Sequence, residues 1–264
     1  MNVTFQNNQE LNIFNMKKLG IIQTRGLGDI IIALPIADYY REQGWEIYWP
    51  VAEAWVEQLN SVAPWIKWIP IIVDQGPFFY DIPMQRLRNF GVDEVLCLYQ
   101  SLTGHPEFTK EPWFQHVSFD RYKYYKAGVP FHRKWELDKC ITRNPKREAE
   151  LYFKKVKNPN YVVTHLQSSV GPVRYDPAII PDGWDVINIT DEGYVFDWIK
   201  IIENAQAVIM VDSAFANMTD QLNIPVDKYF IPRTHIQLTP VFGNHWTYLE
   251  NPDLDPRVKI FVSN

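Results

Sequence analysis

The sequence predicts an α/β protein made of two Rossmann-like parallel-sheet halves facing a cleft. Three observations predict it. Short apolar runs alternate with helix-patterned segments from residue 19 to residue 99, as strands and crossover helices do in a parallel sheet. The alternation stops over Gln100–Asn160, where Pro106, Pro112, Pro130, Pro145 and Pro159 fall among many aromatics. It resumes from Tyr161 to Ile231.

The elements follow in order. Leu19–Gln23 is an apolar run of the kind that sits in a parallel sheet. Asp29–Gln43 is predicted helical, because Ile30, Leu34, Ala37 and Tyr40 recur at helical spacing and Gly44 closes it. Pro35 lies inside it, at a position that favours a kink. Glu46–Val51, Trp68–Val73 and Glu94–Tyr99 read as strands, and Ala52–Val62 and Pro83–Phe90 as helices. The middle reads as loops and short helices, with Arg143–Val156 its best helical candidate. Tyr161–Leu166 and Asp185–Ile189 are predicted strands. Tyr194–Asn204 is a predicted helix with Val195, Trp198, Ile199, Ile201 and Ile202 on its apolar face. Ala207–Val211 is a strand, Ala214–Leu222 a helix with Phe215, Met218 and Leu222 inward, and Val226–Ile231 a strand. Met16-Lys-Lys-Leu looks like a second natural beginning, so the organisation reads as an appendage over 1–15, a first half with its irregular connector over 16–142, and a second half over 143–264.

A chain of 264 residues with 46% hydrophobic content makes one large or two modest domains with a sizeable core. The 15% aromatic content reads as a dense core ahead of stacking surfaces for rings and sugars. Two cysteines, Cys97 and Cys140, make no disulfide framework and fit a reducing compartment. No apolar stretch approaches the roughly 18 residues that span a bilayer, and residues 1–15 lack a signal-peptide core; the expected location is cytoplasmic. The net charge is −5, yet Arg121–Lys157 holds 12 Lys/Arg against 4 Asp/Glu, and the remainder carries −13. That stretch reads either as a solvated, partly helical connector or as a basic surface facing an acidic acceptor or nucleic acid.

The densest chemistry lies at Arg25-Gly-Leu-Gly28-Asp29, between the first strand and the first helix. Backbone N–H groups, a cation and a carboxylate there adjoin a helix N-terminus, where anions are favoured. A dinucleotide fingerprint is excluded in detail: its third glycine position is Ile31, and the second strand ends in Trp49-Pro50-Val51 without a ribose-binding carboxylate. No Gly-Lys-Ser/Thr phosphate loop occurs. Arg25, Gly26 and Gly28 are therefore candidates for acceptor or phosphate contacts, and Asp29 is either a capping residue or a general base facing the cleft. A second strand-to-helix site opens at Asp212-Ser213-Ala214-Phe-Ala-Asn217, with Ser213 and Asp212 equally readable as caps or as diphosphate ligands. Ser168 and Ser169, in the first turn of the second half, read as a polar loop or a phosphate loop, with Arg174 behind them to neutralise diphosphate charge. Tyr194 and Phe196 read as core ahead of a nucleotide-base contact. Metal signals are poor: the six histidines, His105, His116 and His132 among them, are scattered, and Asp253-Leu-Asp255 reads as a turn between prolines.

These motifs resemble those of the lipopolysaccharide heptosyltransferase-like family, glycosyltransferase family nine, a GT-B family. Ile21-Ile-Gln-Thr-Arg25-Gly-Leu-Gly28-Asp29 followed by Ala33-Leu-Pro35 is similar to that family's strand-Arg-x-x-x-Gly-Asp-helix-Leu-Pro signature. Ala207-Val-Ile-Met-Val-Asp212-Ser213, then a short helix and Leu222-Asn-Ile-Pro225, is similar to its Asp-Thr-Gly-x-x-His donor motif. The resemblance implies a GT-B fold and sugar transfer from a nucleotide-sugar donor to an acceptor hydroxyl, with no metal and no resident cofactor. It implies Asp29 as catalytic base and Asp212, Ser213, Ala214 and Asn217 at the donor diphosphate. Two positions depart from the motif: Ala214 replaces its glycine and Asn217 its histidine. Those departures motivate an alternative, a nucleotide- or sugar-binding module without catalysis. The acceptor is open among a glycan, a small molecule and modified DNA bases, the last motivated by residues 121–157; sugar-nucleotide epimerisation is a further reading of the same fold.

Overall fold

The structure is a computed structural model that describes residues 16–72, 79–100, 117–168, 171–232, 240–243 and 245–251. The first half runs β1 (Lys18–Ile22), α1 (Leu27–Glu42), β2 (Glu46–Ala52), α2 (Glu53–Val62), β3 (Lys67–Ile71), α3 (Asp81–Asn89) and β4 (Glu94–Cys97). The connector contributes α4 (Phe119–Lys126) and α5 (Leu137–Cys140), and α6 (Pro145–Lys155) follows. The second half holds β5 (Tyr161–His165), β6 (Gln167–Ser168), β7 (Gly171–Pro172), β8 (Asp185–Asn188), α7 (Ile199–Glu203), β9 (Ala207–Val211), α8 (Ala214–Gln221), β10 (Asp227–Ile231) and β11 (Trp246–Tyr248). The appendage 1–15 lies outside the described residues.

Two parallel sheets result, ordered β3-β2-β1-β4 and β11-β10-β9-β5-β8. Strand order reverses between β1 and β4 in the first and between β5 and β9 in the second. Open α/β sheets bind ligands outside the carboxyl ends of strands at such reversals. The sequence places the two motif turns there, after β1 and after β9.

Three elements differ from expectation. The predicted helix over Tyr194–Asn204 is a 3-10 turn (Val195–Trp198) leading into the short α7. Asp197 accepts from the Tyr194 backbone N–H at 3.0 Å and from Arg147 Nε at 2.9 Å, which tightens the first turn. The segment after β5 turns back as the antiparallel β6–β7 hairpin, and β11 adds a parallel edge beside β10.

Helix α1 continues through Pro35, and every residue from Ile30 to Asp38 is buried. A helix apolar all round belongs between layers. It lies on the first sheet and packs against α4, α5 and α8, so one hydrophobic core runs from Ile31 and Trp49 through Tyr124 to Trp198, Met218 and Phe230. Each such side chain contributes about 1.5–3 kcal/mol on burial, which joins the halves through apolar area as well as through the chain.

Candidate active site

The turn after β1 is pinned from three sides. Ile22 O accepts from the Leu98 N–H (3.0 Å), Gln23 O from the Trp49 indole N–H (3.0 Å) and Thr24 O from the Ala52 N–H (3.1 Å). The Tyr99 hydroxyl, just past β4, accepts from the backbone N–H groups of Thr24 (3.0 Å) and Arg25 (3.3 Å). Burial pushes the Tyr99 phenol above its ordinary pKa, against the lowering effect of those hydrogen bonds. Arg25 is exposed.

Gly26, not Asp29, is the N-cap of α1, and Asp29 is the third residue of the helix. Gly26 has φ +79, and a Cβ there would stand 2.6 Å from Asp29 Oδ2. Only glycine meets both demands without strain. The Asp29 side chain keeps 35% of its surface exposed, and its Oδ1 lies 3.1 Å from Lys123 Nζ. Lys123 is buried; it also donates to Gln23 Oε1 (2.5 Å) and Leu98 O (3.4 Å).

At the other sheet, β9 is wholly buried and Asp212 is buried behind it. Ser213 is the N-cap of α8, its Oγ accepting from the Ala216 N–H at 3.3 Å; the hydroxyl proton is left to donate. The buried Asn217 donates from Nδ2 to Ser213 O at 2.8 Å, and its Oδ1 has no partner among the described residues. At the end of β5, His165 packs on the Phe215 ring with centroids 4.8 Å apart. Burial lowers its pKa to about 4, so the imidazole is neutral near pH 7, with Nδ1 buried and without a partner among the described residues.

The two turns meet. A Cβ on Gly28 would lie 3.3 Å from Ala214 N and 3.4 Å from both Ala214 Cα and Asn217 Nδ2. Two helix N-termini, each carrying partial positive charge, therefore converge beside Asp29, Ser213 and Asn217. The next segment, read as a polar or phosphate loop, is shaped by a short strand pair. Gln167 pairs with Pro172 and Ser168 with Gly171 in a hairpin, and a hairpin has no helix N-terminus behind it. Ser169 lies outside the described residues; Arg174 is exposed just beyond β7. Phe196 is core, and Tyr194 sits under the Arg147 guanidinium at 4.6 Å.

Within the basic stretch Lys123 and Lys134 are buried, and many of the other cations are paired though exposed or half-buried. Lys134 is wholly buried on Asp120 (2.8 Å) and near Asp220 (3.9 Å). Arg133 meets Glu42 and Glu136, Arg143 meets Glu148 and Glu203, Arg147 meets Asp197, and Lys154 and Lys155 both meet Glu192. These pairs tie the connector to both halves through Arg133–Glu42 and Lys134–Asp220, while Arg121, Lys126, Lys139, Arg143, Lys146, Lys154 and Lys157 stay exposed. Lys123 and Tyr99 were missed in sequence. A signal existed for the first: Asp120, Lys123, Tyr124 and Ala127 share one helical stripe, and all are buried. Among the described residues no three His, Cys, Asp or Glu side chains gather as a metal site, and no helix is long and apolar enough to cross a membrane. His105, His116 and Asp253-Leu-Asp255 lie outside the described residues; His132 is exposed.

The sequence matches no protein-family model and no curated protein. The fold is similar to that of a glycosyltransferase family 9 protein from Veillonella parvula, at 13% identity and TM-score 0.59, covering 92% of this chain and 89% of that one. It is similar to the E. coli ADP-heptose lipopolysaccharide heptosyltransferase II, at 12% identity and TM-score 0.54, covering 92% and 96%. It is also similar to TibC, an iron-containing dodecameric glycosyltransferase from enterotoxigenic E. coli, at 13% and 0.52, covering 88% and 64%; TibC is known in complex with ADP-D-β-D-heptose as well. What these proteins share with this chain is the GT-B arrangement of two parallel-sheet halves.

Proposed function

We propose that the protein is a glycosyltransferase that moves a sugar from a nucleotide-sugar donor to an acceptor hydroxyl, with Asp29 as general base. One observation carries the reading. The two strand-to-helix turns at the two sheet reversals meet, and the partly exposed Asp29 carboxylate stands at their junction. The acceptor oxygen attacks the anomeric carbon, its proton passes to Asp29, and the bond from that carbon to the diphosphate breaks. The leaving group is a nucleoside diphosphate, the class of group that TibC's bound ligand carries. Its developing charge is met by the α8 N-terminus, the Ser213 hydroxyl and Arg174 rather than by a metal ion. Asp212 backs this turn, Arg25 and the Gly26–Gly28 turn face the acceptor, and the site of action is the cytoplasm.

The deciding experiment is Asp29→Asn. Transfer is lost while nucleotide still raises the melting temperature by mass action; full turnover by a folded variant overturns the base role. Turnover is also expected to persist in EDTA, and loss restored by a divalent ion overturns the metal-free reading. A second reading, a binding module without turnover, draws on Ala214 and Asn217. The Asn217 amide is bonded to Ser213 O, and Ala214 N lies against Gly28, so fewer first-turn donors remain for a diphosphate. Sugar transfer or donor hydrolysis by the purified protein excludes it.

A further inference from the structure

We propose that Lys123 is a positioning residue for Asp29: its buried ammonium clamps one carboxylate oxygen so that the other is presented to the acceptor hydroxyl. The proposal rests on the base reading above. Lys123 arrives from α4, outside both sheets, and its ammonium meets groups just past the ends of β1 and β4. Its ammonium has three protons and faces three acceptors there: Gln23 Oε1 at 2.5 Å, Asp29 Oδ1 at 3.1 Å and Leu98 O at 3.4 Å. Gln23 is itself 1% exposed, and its Nε2 donates to Arg25 O at 2.9 Å. The ammonium also lies over the rings of Phe119 (5.6 Å) and Tyr99 (5.9 Å). A lysine side chain is flexible, but this one is fixed by its surroundings.

The asymmetry of the pair points to orientation rather than to packing alone. The Lys123 side chain is 5% exposed and the Asp29 side chain 35%. Oδ1 is turned inward onto the ammonium, and Oδ2 lies over Gly26, where the missing Cβ leaves it room. A carboxylate anchored through one oxygen presents a single lone-pair direction with the other. Reacting atoms held within about 3–3.5 Å depend on that kind of fixing, and a misplacement of about 1 Å costs on the order of 10²-fold in rate.

Steady-state kinetics of Lys123→Met and Lys123→Arg test this. Lys123→Met is expected to lower kcat by about 10²-fold while KM for donor and acceptor stays within about twofold, because the lost interaction acts on the reacting geometry. Lys123→Arg, which restores a cation to the same acceptors, is expected to recover kcat to within about tenfold of the parent. If Lys123→Met does not fold, Gln23→Glu replaces it. That nearly isosteric change sets a second carboxylate on the ammonium, draws it from Asp29 and is expected to lower kcat without changing KM. Parental kcat in Lys123→Met or Gln23→Glu overturns the clamp, and so does a fall in kcat accompanied by an equal loss of donor affinity. The two failures are distinguishable: full turnover by Asp29→Asn removes the base reading and this one with it, whereas an inactive Asp29→Asn beside a fully active Lys123→Met removes only the clamp.

Discussion

Replacing Gly26 by alanine separates the two demands that the first turn makes on one residue. Backbone at φ +79 strains any L side chain, at a cost of about 1–3 kcal/mol. In a domain of this size each kcal/mol lowers the melting temperature by roughly 2–4 °C, so a drop of about 2–12 °C is expected. The second demand is steric. The new Cβ would stand 2.6 Å from Asp29 Oδ2, and ordinary contact begins at 3.4 Å, so the carboxylate must retreat by roughly 0.8 Å. Oδ2 is the far end of a side chain, so this shift adds little to the stability cost. It does move the proposed base by nearly the distance at which a misplaced group costs about 10²-fold. The expected result of differential scanning fluorimetry with steady-state kinetics is a modestly destabilised protein whose kcat falls between about 10- and 10²-fold, with nucleotide binding retained. An unchanged melting temperature would refute the strained turn. A destabilised but fully active variant would refute the placing of Asp29 at the reacting centre.

Two further outcomes follow from burial. His165 is lowered from its ordinary 6.5 to about 4, so between those values the unfolded chain binds a proton that the folded chain refuses. Stability is complete above pH 6.5 and falls as the pH drops through that window, by roughly 3 kcal/mol at its end; melting curves of His165→Gln should show a shallower fall, and parallel curves count against this assignment. Lys134→Met leaves Asp120 charged and wholly buried without its ammonium, so urea unfolding should show a loss of about 3–5 kcal/mol. That loss should persist in high salt, because a buried pair is weakly screened; disappearance of the loss with salt would show that the pair is solvated.

Much of the fold was legible because strand and helix periodicities are local. Ala207–Val211 was read to the residue, and β1, β2, α2, α6 and α8 to within two or so at their ends. The 3-10 turn at Val195–Trp198 was not legible, because Arg147, 50 residues earlier, helps to shape it through Asp197. The hairpin after β5 escaped for a similar reason. Gln167-Ser168 and Gly171-Pro172 have no alternating pattern of their own, and their pairing is seen only in the folded chain beyond the carboxyl end of β5. At the site, Asp29, Gly26 and Gly28 were picked out by their place between a strand and a helix, whereas Lys123 lay hidden in a connector whose charges looked solvent-facing.

The sequence by itself determined the two parallel sheets, the two glycine- or serine-marked turns and the carboxylate at the first of them. Periodicity, a left-handed glycine and a serine cap act through neighbours a few residues away. Only the tertiary structure decided that Gly28 would touch Ala214, that α1 would be buried on every side, and that Lys123 would reach Asp29 across 94 positions. It also decided that Lys123, Arg133, Lys134 and Arg147 would meet carboxylates from both halves. These outcomes depend on where crossovers and the connector deliver side chains in space. An ammonium in a low-dielectric interior must find acceptors, and in this protein some of those acceptors lie far away in the chain.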